Sequence, residues 1–318
     1  MAKYINPYTD FGFKKLFGTE LNKDLLISFL NALFEKSKEL PKDEIEDITY
    51  LNPEKLGRSA SERRAIFDVY CTTKSGAQFI VEMQNVFQQF FKDRSVYYSS
   101  FPIHEMAKKD SKEAHWNYEL NKIYTVGILN FVFKDEEKDV ESGELKTVNE
   151  FSDDDLLHVV MLVDITTGKV FYRKLAYLYL EMPKFSKNET ELVTMYDKWL
   201  FVLKNLSNLL ERPKELQERV FEKLFRQAEI AMFTPEEYTA YEESLHSMWD
   251  ITNAMNDAEE KGFGKGKEEG RAEGRAEGRA EGRAEALLST ARNLKSMGYP
   301  VEQIVKATGL TLSEISEI

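Results

Sequence analysis

Asp68, Glu82 and Gln84 are the residues whose types and spacing could do chemistry. Asp68 lies in the β-branched and aromatic run 65–72 (AIFDVYCT), and Glu82 and Gln84 close a second such run, 78–84 (QFIVEMQ). Lys74-Ser75-Gly76 between them has turn composition, so the two runs are predicted to form an antiparallel hairpin. Side chains two apart on a strand share a face, which puts Glu82 beside Gln84, and the hairpin partner can bring Asp68 alongside. Two carboxylates among Ile66, Phe67, Val69, Val81 and Met83 are costly to hold without a partner, and a hard divalent cation is one such partner.

The elements that must position these groups can be read from hydrophobic periodicity. Thr9 or Asp10 is placed to cap a first helix carrying Phe11, Phe13 and Phe17. Asp10 has a second reading, as a further acid near the pair. Leu25, Leu26, Phe29, Leu30, Leu33 and Phe34 recur at helical spacing in a second helix. Residues 45–51 alternate like a strand, and 87–106 read as a long helix whose aromatics (Phe90, Phe91, Tyr97, Tyr98, Phe101) fit a core better than a nucleobase platform. Residues 122–133, 156–165 and 175–182 supply further strands, with a charged hairpin tip at 134–139 after the first of them. Residues 187–255 return to helical patterning. The outcome is an α/β mixed sheet flanked by helices, with a helical C-terminal extension.

The Asp…Glu-x-Gln arrangement resembles the signature of the PD-(D/E)XK nuclease superfamily. The opening 6–17 (NPYTDFGFKKLF) with 22–33 (NKDLLISFLNAL), and the centre 81–84 (VEMQ) followed by 94–99 (RSVYYS), resemble the recombination-promoting nuclease / putative transposase family. The resemblance covers roughly residues 4–185. It implies a restriction-endonuclease-like α/β core and a metal-dependent DNA endonuclease associated with recombination or mobile elements. In it Asp68 and Glu82 would bind Mg²⁺ or Mn²⁺, and the third residue would orient the attacking water or the scissile phosphate. That residue is usually Lys; here it is Gln84, a neutral amide that can donate to a phosphate oxygen or accept from a water but brings no charge.

The chain has 318 residues and a net charge of −12, which argues against a protein that coats DNA non-specifically. A local basic rim remains compatible with cleavage. Lys14, Lys15, Lys55, Arg58, Arg63, Arg64, Lys92 and Arg94 flank the acidic residues in sequence and are candidate phosphate contacts, against the plainer reading of a solvated face. The single cysteine, Cys71, excludes an intrachain disulfide framework, and four scattered histidines suggest no zinc site. No secretion signal or membrane-spanning stretch is evident, so a cytoplasmic protein is expected.

Residues 270–285 repeat Gly-Arg-Ala-Glu four times. In a helix this repeat stacks like charges at i and i+4 and places a glycine in every turn, so a linker is favoured over a helix stabilised by a second copy. The expected organisation is a nuclease-like domain at 1–186, a helical extension at 187–258, a repeat linker at 259–285 and a small helical tail at 286–318. The tail begins like a helix-turn-helix, but its second helix (Leu312–Ile318) is short and acidic, which suits partner docking or self-association better than a major groove. Two rival functions stand beside the endonuclease. One is a catalytically silent module that binds nucleic acid or protein on the same scaffold. The other is a scaffold whose business is the repeat and tail.

Overall fold

In the computed structural model, six strands form the central sheet: β1 (Ile48–Tyr50), β4 (Val69–Thr73), β5 (Gln78–Gln84), β6 (Ile123–Leu129), β10 (Lys169–Glu181) and β9 (Leu157–Asp164), in that spatial order. The structure describes residues 2–37, 45–55, 65–109, 118–138 and 145–318. β5, β6 and β10 run parallel and the other pairings are antiparallel. This is the mixed α/β sheet expected from the periodicity. The β4–β5 hairpin has the expected register, Val69 opposite Val81 and Thr72 opposite Gln78, and Gly76 takes φ +84° in its turn.

One face of the sheet is covered by α1 (Asp10–Phe17), α2 (Lys23–Lys36), α4 (Met195–Asn205) and α5 (Arg219–Ala228). Trp199, Leu203 and Phe221 from the later helices share one apolar core with Phe13, Phe17, Phe29, Phe79 and Val81. The indole of Trp199 donates to Ser28 Oγ at 3.1 Å. On the other face lies α3 (Phe91–Lys109). It can approach β6 closely because residue 127 is glycine: a Cβ there would sit 3.2 Å from Phe91 Cζ and 3.0 Å from Tyr179 Cδ1. Phe67 ties the hairpin to the same helix, with ring centroids 5.2 Å from Tyr98 and 6.3 Å from Phe101.

The N-terminal motif folds on itself before α1. Asn6 Oδ1 accepts from the Tyr8 N–H, Thr9 Oγ1 donates to Asn6 O, and the Gly12 N–H donates to Thr9 Oγ1. Thr9 is therefore the cap, and Asp10 is the first helical residue. A Cβ at Gly12 would lie 2.2 Å from Asn6 O, so this tight entry requires glycine.

Several expectations are corrected. Lys134–Lys138 is a strand, β7, because it finds an antiparallel partner in β8 (Leu145–Asn149). Residues 139–144 lie outside the described residues. β10 starts six residues earlier than expected, since its first half pairs with β9 alone in an exposed hairpin. Of the aromatics expected to fill a core around α3, only Phe91 is buried; Phe90, just before α3, is 67% and Tyr97 43% exposed.

The chain divides into two units, Met1–Ile251 and Thr252–Ile318. Helix α6 (Pro235–Ser296) contributes its first turns to the former, where Tyr241 OH accepts from the Asn6 N–H and Ser244 Oγ from the Phe11 N–H. In the second unit the repeat is helical, where a non-helical linker was favoured. Nucleation is the costly step of helix formation, and here the segment propagates from turns already formed, through Ala, Arg and Glu, all strong helix formers. After Gly298, at φ +84°, the chain turns into α7 (Val301–Thr308) and α8 (Leu312–Ser316). Ala291, Ile304 and Ile315 are fully buried together, so the tail encloses a small core of its own.

Candidate active site

The strand that carries Asp68 is broken at that residue. β3 (Ala65–Ile66) leaves the main sheet to pair with β2 (Glu54–Lys55), and the ladder to β5 resumes only at Val69. At the break, side chains replace the missing rungs. The Met83 N–H donates to Asp68 Oδ2 at 2.8 Å, and the Asp68 N–H donates to Glu82 Oε1 at 3.3 Å. Each backbone donor stranded by the bend is thus satisfied by a carboxylate, and the two carboxylates are locked side by side. Glu82 is 4% and Gln84 8% exposed, with Asp68 half-buried.

Burial pushes the Glu82 carboxyl up to about 8, helped by the negative charge of Asp68 and opposed by Arg94. Burial likewise raises Asp68 to about 6, against the Met83 hydrogen bond. Asp10 adds to the rise of Asp68, while Lys14 and Arg94 oppose it. Two carboxylates held together away from water resist carrying two charges, and an added cation would relieve both.

Arg94 is the residue whose place sequence reasoning missed. It stands one turn into α3, between Phe91 and Tyr98. Nη2 donates to Glu82 Oε2 at 3.2 Å, and Nη1 donates to Gln84 Oε1 at 3.3 Å and to Gln88 Oε1 at 2.9 Å. The guanidinium lies 4.9 Å from the centroid of the Tyr98 ring, its i+4 neighbour. The signal was present in the sequence as a lone arginine on the α3 stripe, but only the packing of α3 on β6 aims it at β5.

The other basic candidates divide. Lys14 pairs with Asp10 at 2.7 Å on the helix that faces the site. Lys15 pairs with Glu237 and Lys92 with Glu150. Arg58, Arg63 and Arg64 lie outside the described residues, as does the Lys55 side chain.

A family model described as PD-(D/E)XK nuclease family transposase matches residues 7–258. The chain belongs to that family. No curated protein and no solved structure matches it significantly. The match runs beyond the sheet through α4, α5 and the start of α6, so the helices that share the core with the sheet are part of this family's domain.

PD-(D/E)XK nucleases generally use divalent metal ions. The paired carboxylates fit such an ion: they are hard oxygen donors, adjacent, and both driven toward protonation chiefly by burial. Among the described residues no group of three or more His, Cys, Asp or Glu gathers at metal-binding spacing. A second acidic centre, Glu181 at the end of β10, is of another kind. It is fully buried and bonded to Lys184 and His158, and Lys184 in turn donates to the carbonyls of Phe151, Ser152 and Asp155. That network pins a loop and has no exposed face for a substrate.

Proposed function

We propose that this PD-(D/E)XK family member is a Mg²⁺- or Mn²⁺-dependent DNA endonuclease whose centre is Asp68, Glu82 and Gln84. The observation that carries this reading is the exchange of hydrogen bonds at the strand break, which holds Asp68 against Glu82 at the cost of two raised carboxyl pKa values. The divalent cation, when bound, would polarise the scissile phosphate and acidify a water. Asp68 and Glu82 hold that ion, and Asp10 adds negative charge from the start of α1. Gln84 contacts a non-bridging phosphate oxygen or the water.

Phosphates flanking the cleaved one would be held by Lys14 and by Arg58, Arg63 and Arg64. The latter lie in sequence between β2 and β3, the paired strands that precede the Asp68 break. Lys14, Lys15 and Lys92 each already hold an ion pair, with Asp10, Glu237 and Glu150, that a phosphate would have to replace.

The test is nicking of supercoiled plasmid by the purified full chain, with Mg²⁺, Mn²⁺ or chelator, for the wild type, Asp68→Asn and Glu82→Gln. Cleavage that needs the cation and both carboxylates supports the reading. Undiminished cleavage in chelator, or in both variants, would sink it. DNA binding without cleavage by any cation would favour the silent-module alternative.

A further inference from the structure

Gln84 departs from the lysine usual at its position, and the hydrogen bonds around it show how the centre is built without that lysine. The guanidinium of Arg94 can only donate, so the Gln84 atom facing Nη1 must be the carbonyl oxygen, Oε1. The Val86 carbonyl can only accept, so the atom facing it, at 3.2 Å, must be the amide nitrogen, Nε2. Turning the amide over would set donor against donor and acceptor against acceptor. The orientation is therefore fixed by two neighbours of opposite kind. With its carbonyl bonded to Arg94 and one amide hydrogen to Val86, Gln84 has left its second N–H and the second lone pair of an oxygen already bonded to a cation.

The same guanidinium holds Glu82 through Nη2, is braced by Gln88, and is stacked on Tyr98. A cation bonded to the carbonyl end of an amide polarises its N–H groups and strengthens the bond they donate. We infer that Arg94 is a positioning residue that stands in for the missing lysine: it fixes Gln84 as a polarised hydrogen-bond donor to the reacting phosphate and acts through it. This rests on the endonuclease reading above. It assigns Gln84 the donor role toward the phosphate. It also removes Arg94 from the set of residues that grip the DNA backbone.

Four full-length variants test it: Arg94→Met, Arg94→Lys, Gln84→Glu, and Arg94→Met combined with Gln84→Lys. The first readout needs no catalysis. The side-chain NH₂ signals of Gln84 in a ¹⁵N–¹H spectrum, identified by their loss in Gln84→Glu, should shift and exchange faster in Arg94→Met. Arg94→Lys should do the same, since it keeps the charge but loses the planar fork; it replaces Arg94→Met should that variant fail to fold. Unchanged Gln84 signals would overturn the proposal. The second readout is kinetic. Arg94→Met and Gln84→Glu should each lower kcat by roughly 10²-fold with KM little changed, the usual loss for one preorganised donor. Gln84→Lys should rescue much of kcat in the Arg94→Met background, because it delivers the charge directly; no rescue would overturn the relay.

The third readout is DNA binding in chelator as a function of salt. The positioning role predicts an unchanged slope for Arg94→Met, whereas a slope reduced by about 1 would return Arg94 to the phosphate grip. A wild type that cleaves nothing sinks the endonuclease reading, and the Gln84 signals still decide the orientation.

Discussion

Removing the charge of Glu82 should make the metal-free protein more stable at alkaline pH, and by an amount that can be bounded. Folding moves Glu82 from its ordinary carboxylate range up to about 8, chiefly by burial. The folded state then binds a proton more readily than the unfolded chain between about pH 4.5 and 8, so stability falls as pH rises through that window. The raised value corresponds to at most about 4–5 kcal/mol once Glu82 is fully charged. For a domain of this size that is roughly 10 °C in Tm. Glu82→Gln keeps the shape and loses the titration.

The assay is thermal unfolding of wild type and Glu82→Gln in chelator, from about pH 4.5 to 9, read as the difference between them. The two should converge at the acid end and diverge steadily toward pH 8, with the variant the more stable. Adding Ca²⁺ above pH 8 should close most of the gap by stabilising the wild type alone. A difference independent of pH, or a variant that loses ground as pH rises, would refute the claim that this carboxyl is buried at a cost and waiting for a cation.

Asp68→Ala and Glu82→Ala should each abolish Mg²⁺-dependent plasmid cleavage while circular dichroism still shows a folded chain. Gln84→Ala should slow cleavage, and Gln84→Lys alone should retain or raise it; Gln84→Ala cleaving as fast as wild type would remove Gln84 from the chemistry. Gly127→Ala should destabilise by about 1–3 kcal/mol in denaturant titration, because its Cβ would meet the Phe91 and Tyr179 rings at 3.2 and 3.0 Å. In the tail, Leu312 and Tyr299 remain exposed beside the small internal core. Truncation after Lys261 should therefore lower the oligomeric state seen by sedimentation, and an identical state for both chains would show that residues 262–318 take no part in assembly.

Asp68, Glu82 and Gln84 were legible as a group because strand alternation and turn composition are local properties: the hairpin register follows from residues 65–84 alone, and that register juxtaposes the two acids. The first two helices were legible for the same reason, their apolar positions recurring every three or four residues along one segment. Charge at the site was not. Lys15, Lys92 and Arg94 look alike in sequence as basic residues near the acidic strands, yet two are paired elsewhere and one is bonded to Glu82 and Gln84. A side chain's partner depends on which element faces it, and the approach of α3 to β5 is decided by Phe67, Phe91 and the absence of a Cβ at Gly127, residues up to 60 positions apart. The bend at Asp68 was hidden likewise, since it arises when β3 leaves the sheet for β2, a pairing that local pattern does not announce. Composition and periodicity thus determined which residues could be the centre, and only tertiary packing decided that its positive charge reaches Gln84 from a helix.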